Sequence, residues 1–459
     1  MNVALLSQGG GALMTVGQAD DYALTRVPAK ARYPWWSVAL QRFGQLSALS
    51  QFLLGATLGF GMSFRDALIA LTLGAVLLDL VCILVGVIGS REGLTTSVVA
   101  RWTGFGRGGS AILSLAIGIS LIGWFGIQTA VAANGLESLI GGLPSWGWSI
   151  VFGMLVTLIA VSGFHSMAWT AYISVPAFMA LVTWSVIGAL SERDTGALFS
   201  SAPAGPQLTI VEGTTLVAGG FIVGAVIAPD MTRYNRSARD VVKQTVVGFT
   251  LGEYVIGLAG VLLAHAARSQ DVIFIITSSV GWVGVLVIIL GTVKINDWNL
   301  YSAGLGFTNV FGLFGGAVNR RVVTAVVGIL GSLLAAGGLL TRFVDFLILL
   351  GVVFPPVAGI MAAEYFVVRK WRASLDVSRV NGTLPACAPN WVPATLAIWA
   401  ASAVVGHFVT FVPGSLISLV SAFILYVAAG KAGMIRGFGE SFTYSRRTAA
   451  EKDSDEELS

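Results

Sequence analysis

The apolar positions of this chain fall in long blocks rather than in the short periodic stretches of a soluble protein. Twelve blocks lie at 41–61, 67–89, 108–134, 147–164, 168–190, 213–229, 241–266, 272–302, 322–340, 343–367, 391–410 and 412–430. A bilayer core about 30 Å thick takes roughly 20 residues of helix, so each block predicts one crossing. The fourth and fifth blocks are joined by a tight turn read at Ser166–Met167, and the last two by one near Pro413–Gly414. No polar segment between blocks exceeds about 30 residues, which leaves no room for an appended soluble domain. The expected fold is all-α integral membrane, with twelve transmembrane helices.

Basic residues test that count, because they concentrate on the cytoplasmic side of a membrane. With the N-terminus inside, the inner segments hold 22 of the 27 Lys and Arg residues and the outer segments hold 4, Arg65, Arg193, Arg268 and Arg342. Arg42 is counted with the inner N-terminal tail, and Lys294 falls within a helix. Both termini are therefore expected in the cytoplasm and the chain in the cytoplasmic (inner) membrane. Residues 1–38 read as a cytoplasmic tail, since Met1–Thr15 lacks the charged leading region of a cleaved signal. Residues 369–390 read as a cytoplasmic loop, 391–430 as two extra helices, and 431–459 as a second tail whose acidic end, Glu451–Glu457, is solvated.

Composition agrees and excludes other classes. Hydrophobic residues make up 55% of the chain and charged residues 11%, against roughly 25% charged in soluble domains. The net charge of +4 comes with no basic stripe interleaved with aromatics, so no nucleic-acid partner is expected. Cys82 lies in an apolar run and Cys387 in a polar loop, which gives neither a disulfide framework nor a metal cluster. His165, His265 and His407 sit near block ends without partners at ligand spacing. No cofactor, metal or enzymatic activity is expected. The polar residues within blocks gather at one depth, which favours an occluded site over a continuous pore.

Charged side chains inside a bilayer cost roughly 2.5–3.5 kcal/mol each on insertion scales, so each is a functional candidate. Asp79, Glu253, Lys294 and Asp297 lie within blocks. Lys294 and Asp297 are three apart and share a helix face. With Asn296 and Asn299 they make a polar face that must turn into the bundle, either as a site or as a buried ion pair locking two helices. The sixth block carries Gly219, Gly220, Phe221 and Gly224 before Pro229, a pattern for an interrupted helix of the kind that exposes backbone to solutes and ions. The first block has Gly44, Ala48 and Gln51 on one face, and close packing through small residues is the competing reading. Trp124 stands between Gly123 and Phe125–Gly126, with Gln128 one turn on. Trp124 can offer a flat face to a heteroaromatic ring, with Phe221 as the opposite face.

Several motifs occur in one order across residues 40–430. They are Ala56-Thr57-Leu58-Gly59-Phe60-Gly61-Met62-Ser63, Gly93-Leu94-Thr95-Thr96 with Ala100-Arg101, and Gly123-Trp124-Phe125-Gly126. Further along come Asn296-Asp297 with Leu300-Tyr301 and Gly304-Leu305-Gly306-Phe307, then Phe354-Pro355-Pro356-Val357 running to Glu364-Tyr365. In these motifs the chain resembles the cytosine permease branch of the nucleobase–cation symporter family. The resemblance implies a core at 39–368 built of two inverted repeats, about 39–190 and 211–368, with broken first and sixth helices. It implies alternating access around a site between the first, third, sixth and eighth helices. Trp124 and Phe221 match the positions that sandwich the base. Gln128, Asn296 and the backbone at Gly219–Gly220 match positions that bind its edge, and Gln51, on the face of the first block shared with Gly44 and Ala48, is a further candidate binding residue.

Two departures qualify the resemblance. Leu121, Gly220 and Val223 stand where polar or hydroxyl residues are usual, which alters the hydrogen-bonding pattern offered to a base. The coupling-ion positions match the carbonyls of Gly44 and Ala48 and, on the eighth helix, Gly291, Lys294 and Ile295, none of which brings a side-chain oxygen. Lys294 puts an ammonium where sodium would lie, with Asp297 beside it. The expected function is import of a nucleobase (cytosine, a purine or a related heterocycle) coupled to protons rather than sodium. A same-fold carrier of a hydantoin, vitamin precursor or amino acid, or a uniporter, is the alternative.

Overall fold

A computed structural model describes residue 22 and residues 25–162, 165–192, 195–313 and 318–442. The acidic stretch 451–457 and the first 21 residues lie outside the described residues. The first crossing is made by two helices, α1 (Trp35–Leu46) and α2 (Leu49–Gly61), and is followed by α3 (Phe64–Glu92), the short α4 (Thr96–Val99), α5 (Gly106–Ile140), α6 (Ser145–Ser162) and α7 (His165–Glu192). After α8 (Thr195–Ser200) come α9 (Ile210–Val226) and α10 (Pro229–Thr232), then α11 (Ala238–Gly252) and α12 (Leu258–Ala267), joined by a π-helical turn at Glu253–Gly257. Then follow α13 (Val272–Val280), α14 (Trp282–Leu313), α15 (Arg320–Ala336), α16 (Phe343–Val353), α17 (Pro355–Ala362), α18 (Arg372–Val380), α19 (Pro393–Phe408) and α20 (Gly414–Lys431). Six of the described spans are long and apolar enough to cross a membrane, and six shorter apolar helices stand at the positions of the other predicted crossings.

Local chemistry sets the boundaries. Ser63 caps α3 by accepting from the Asp66 N–H at 3.2 Å, and Gly93 ends it in the left-handed region at φ 64°. Thr209 and Glu212 form a reciprocal capping box at the start of α9. Asp271 accepts from the Ile273 and Phe274 N–H groups to start α13.

Three boundaries differ from the sequence reading. The block at 272–302 is two helices, because Gly281 takes φ 73° and ψ −159°, a backbone open essentially to glycine alone. The eighth crossing is therefore α14, and α13 is a separate short helix before it. The turn read at Ser166–Met167 is already helical, since α7 begins at His165. The first crossing begins at Trp35, inside the stretch read as tail, and this carries Arg42 into the helix bundle, where it is 1% exposed.

The crossings pair in a defined way. The first packs on the seventh (α1 on α11, α2 on α12) and the second on the sixth (α3 on α9). The third packs on the eighth (α5 on α14) and the fourth on the ninth (α6 on α15). Shifting every crossing by five maps the first pair of contacts onto the second and each of the others onto itself. That is the contact pattern of two inverted five-helix repeats.

The described parts of both tails meet one end of the bundle. Arg26 reaches the Glu92 carboxylate at 2.8 Å, and Arg379 reaches its other oxygen at 2.6 Å. Tyr33 bridges Asn235 through the backbone. Strand β1 (Cys387–Trp391), from the loop before α19, pairs antiparallel with β2 (Phe438–Phe442), with Ala388 opposite Ser441.

Candidate functional site at the broken helices

The break between α1 and α2 is at Ser47 (φ −74°, ψ 63°) and Ala48 (φ −134°, ψ 158°). The Ala48 N–H turns to the Leu46 carbonyl at 2.8 Å, so the Gly44 carbonyl loses its helical donor. The Ala48 carbonyl instead opens α2 by accepting from the Gln51 and Phe52 N–H groups. No side chain caps α2. A Cβ on Gly44 would meet nothing within 4 Å, and neither would one on Gly291 of α14. The two glycines named at the coupling-ion positions thus both border open space.

The sixth crossing is also interrupted, but at Ile227–Ala228 ahead of Pro229, where α9 gives way to α10. Gly219 and Gly220 remain inside continuous helix. A Cβ on Gly219 would fall 2.0 Å from the Leu347 carbonyl oxygen, so this glycine lets α9 and α16 touch backbone to backbone. Gly220 faces the end of the Leu54 side chain, at 2.9 Å.

Trp124 on α5 is nearly buried, at 8% exposure. Phe346 and Phe343 of α16 meet it edge-on, with centroids at 5.3 and 6.3 Å. Gly123 makes room for Phe346, whose ring would lie 2.5 Å from a Cβ there. Phe221 packs edge-on against Phe249 of α11 at 5.3 Å and lies over Gly224. Trp124 and Phe221 are each backed by other aromatics and form no ring contact with one another. Gln128, one turn along α5 from Trp124, is 2% exposed, and its Oε1 has no partner among the described residues.

Asn296 ties α14 to α5. Its amide donates to the Thr129 hydroxyl at 2.9 Å and the Phe125 carbonyl at 3.2 Å, while its oxygen accepts from Asn299 at 3.3 Å. Lys294 and Asp297 share a face but form no ion pair with each other; the described ion pairs lie elsewhere. Asp297 is 1% exposed and its Oδ1 lacks a partner. Gln51 donates its amide to Glu253 on the π-helical turn of the seventh crossing.

Broken first and sixth crossings in an inverted-repeat bundle, with unpartnered polar atoms inside, describe a solute carrier. A family model for permeases for cytosine/purines, uracil, thiamine and allantoin matches residues 27–429. The chain belongs to this family. It is a multi-pass membrane transporter, not an enzyme. The cytosine permease of Escherichia coli (strain K12) is 30% identical over 399 residues, 86% of this chain and 90% of that protein. The hydantoin permease of Microbacterium maritypicum is 25% identical over 427 residues, 86% of this chain and 84% of that one. Among solved structures, the inward-facing conformation of Mhp1 superposes with a TM-score of 0.75 at 20% identity, covering 97% of this chain and 99% of that one. Mhp1, a nucleobase-cation-symport-1 family transporter, in a closed conformation with bromovinylhydantoin bound, gives 0.70 at 19% identity, over 94% and 98%.

Two features of this permease escape a reading of its sequence. Arg42 is buried between the first, sixth and seventh crossings. Its Nη1 donates to the Gly224 carbonyl at 3.2 Å and its guanidinium lies over the Phe249 ring at 5.2 Å, while Nε and Nη2 have no described partner. The signal was available in the apolar positions Val38, Ala39 and Leu46 that flank it on the same helix. The bond from Gln51 to Glu253 joins residues 202 positions apart, a separation that no local pattern reveals.

Proposed function

We propose that the protein imports a nucleobase-like heterocycle (cytosine, a purine or a related ring) across the cytoplasmic membrane by alternating access, coupled to protons. The single observation that carries this is Trp124, an aromatic backed by Phe343 and Phe346, with the free Oε1 of Gln128 one turn away. A flat apolar wall beside an unpartnered acceptor suits a planar ring with N–H groups on its edge. Phe221, Gly219, Gly220, Asn296 and Gln51 complete the candidate binding set in this reading. The relatives' substrates, cytosine and hydantoins, are of that chemistry.

Lys294, with Asp297 beside it, stands in for sodium in the proposed coupling mechanism. The carbonyls of Gly44 and Ala48 supply one side of an ion position, but the eighth crossing offers an ammonium where an oxygen is needed. A lysine there that releases and regains its proton as the site opens and closes removes the need for sodium and couples transport to protons, whereas one that stays charged throughout would make the protein a uniporter. The basic residues at the end of the bundle where the tails meet support a reading with both termini in the cytoplasm. Uptake of radiolabelled cytosine into cells expressing the chain, challenged with unlabelled purines, pyrimidines and hydantoins, tests the substrate class. Saturable uptake blocked by ring compounds with edge N–H groups supports it, and inhibition only by amino acids would overturn it.

A further inference from the structure

We propose that Glu253 is a proton-binding site, held by Gln51 beside the break of the first crossing; this rests on the reading of the protein as a proton-coupled carrier. Glu253 is fully buried, at 0% exposure, on the π-helical turn Glu253–Gly257. Such turns displace a side chain from the regular helical ladder and recur at functional positions. Its Oε2 accepts from the Gln51 amide, and its Oε1 has no partner among the described residues.

Among the described residues, the charged groups near this turn form no ion pair with Glu253. From α3 come Asp79, whose Oδ2 accepts from the Thr250 hydroxyl at 3.3 Å, and Cys82, whose sulfur lies 3.3 Å from the Thr245 hydroxyl. The Thr72 and Tyr254 hydroxyls meet each other at 2.5 Å. From α1 comes Arg42, which is engaged with Gly224 and Phe249. His265, far along α12, is bonded to the Met62 carbonyl. No Lys, Arg or His among the described residues forms an ion pair with Glu253 or Asp79. A buried carboxylate without a cation is far more costly than the neutral acid, and the acidic Asp79 adds repulsion rather than relief. Protonation at Oε1 removes the charge and leaves Oε2 free to keep the Gln51 bond.

The surroundings link this proton to the hinge. Gly55 and Gly257 pack backbone to backbone, as do Gly260 and Phe52, so α2 and its Gln51 stay fixed on the seventh crossing. On the other side of the break, Leu46 of α1 covers Gly252, next to Glu253, with its Cβ 2.5 Å from where a Cβ on Gly252 would stand. Tilting α1 about Ser47–Ala48 lifts Leu46 away and opens the carboxyl to water without disturbing its bond to Gln51. The proton then exchanges in the state with α1 displaced and is held in the state seen here.

The test uses the full-length protein in two independent readouts. Infrared difference spectra of reconstituted wild type against Glu253→Gln, which keeps the shape and the Gln51 contact, should show at neutral pH a protonated-carboxyl stretch present only in the wild type. Its absence overturns the proposal whatever the substrate is. In proteoliposomes, Glu253→Gln should lose accumulation of radiolabelled cytosine driven by a pH gradient and retain exchange of internal for external cytosine. Undiminished accumulation overturns the role of Glu253 in coupling. A wild type that transports no cytosine contradicts the substrate reading instead, and the infrared result still decides the proton site.

Discussion

Arg42 on α1 donates to the carbonyl of Gly224 on α9 across 3.2 Å, and so ties the first broken crossing to the end of the sixth. The bond spans the two helices whose ends must part if the carrier opens at this end. The guanidinium is buried with two nitrogens unpartnered, so its contribution to stability is small or unfavourable. Arg42→Met, which fills similar volume without charge, is expected to keep the melting temperature or raise it. The same variant should slow uptake, because the link between the broken helices is gone. Thermal melting beside initial uptake rates checks both. A large drop in melting temperature would make Arg42 a structural residue.

Gly219 and Gly220 are neighbours with different tasks, and alanine separates them. At Gly219 a methyl group would stand 2.0 Å from a backbone oxygen that cannot move independently of α16. Gly219→Ala should force the two helices apart and cost about 1–3 kcal/mol or more, as overpacking does. At Gly220 the nearest atom is the flexible end of Leu54, at 2.9 Å, and Gly220→Ala should leave melting nearly unchanged. Comparing the melting temperatures of the two purified variants decides the matter.

Lys294→Ala should abolish or uncouple transport. With the ammonium removed, a pH gradient should no longer drive accumulation in proteoliposomes, while facilitated exchange of substrate persists or disappears altogether. Unchanged proton-driven accumulation in this variant would remove Lys294 from the coupling mechanism.

At the end where the tails meet, Asp376 of α18 is gripped by Arg372 at 3.0 Å and Arg379 at 2.6 Å. Slight burial pushes its carboxyl up, but the hydrogen bonds and charges of Arg372 and Arg379 outweigh this and hold it below the usual carboxylate range. A lowered folded-state pKa stabilises the contact above the ordinary carboxylate value, and that stabilisation is lost as pH falls through the lowered value. The loop 369–390 should therefore resist proteolysis at neutral pH and become susceptible under acid. Asp376→Asn should be susceptible already at neutral pH. Limited proteolysis at several pH values measures this.

The number of crossings was legible because a bilayer demands long apolar runs, and the described helices stand at those runs. The limits of the first and eighth crossings were less so. Arg42 was counted as tail because a charge ahead of an apolar block looks solvated, whereas α1 extends back to Trp35 and buries it under Phe249. No proline or charged residue interrupts the run 272–302 around its division, and only the backbone angle at Gly281 divides it. In the candidate site, spacing put Lys294 and Asp297 on one face correctly but does not bring them into an ion pair. The polarity of Asn296 was readable, but its partner Thr129 lies 167 residues away. Glycines look alike in sequence: Gly44 borders open space while Gly219 is pressed against Leu347.

The most direct test of the central claim is cytosine accumulation in proteoliposomes containing only this protein, with an imposed pH gradient, in the presence and absence of sodium. The account predicts saturable accumulation driven by inward protons and indifferent to sodium. Strict dependence on sodium would contradict the part assigned to Lys294, and failure of every nucleobase to accumulate or compete would contradict the proposed substrate.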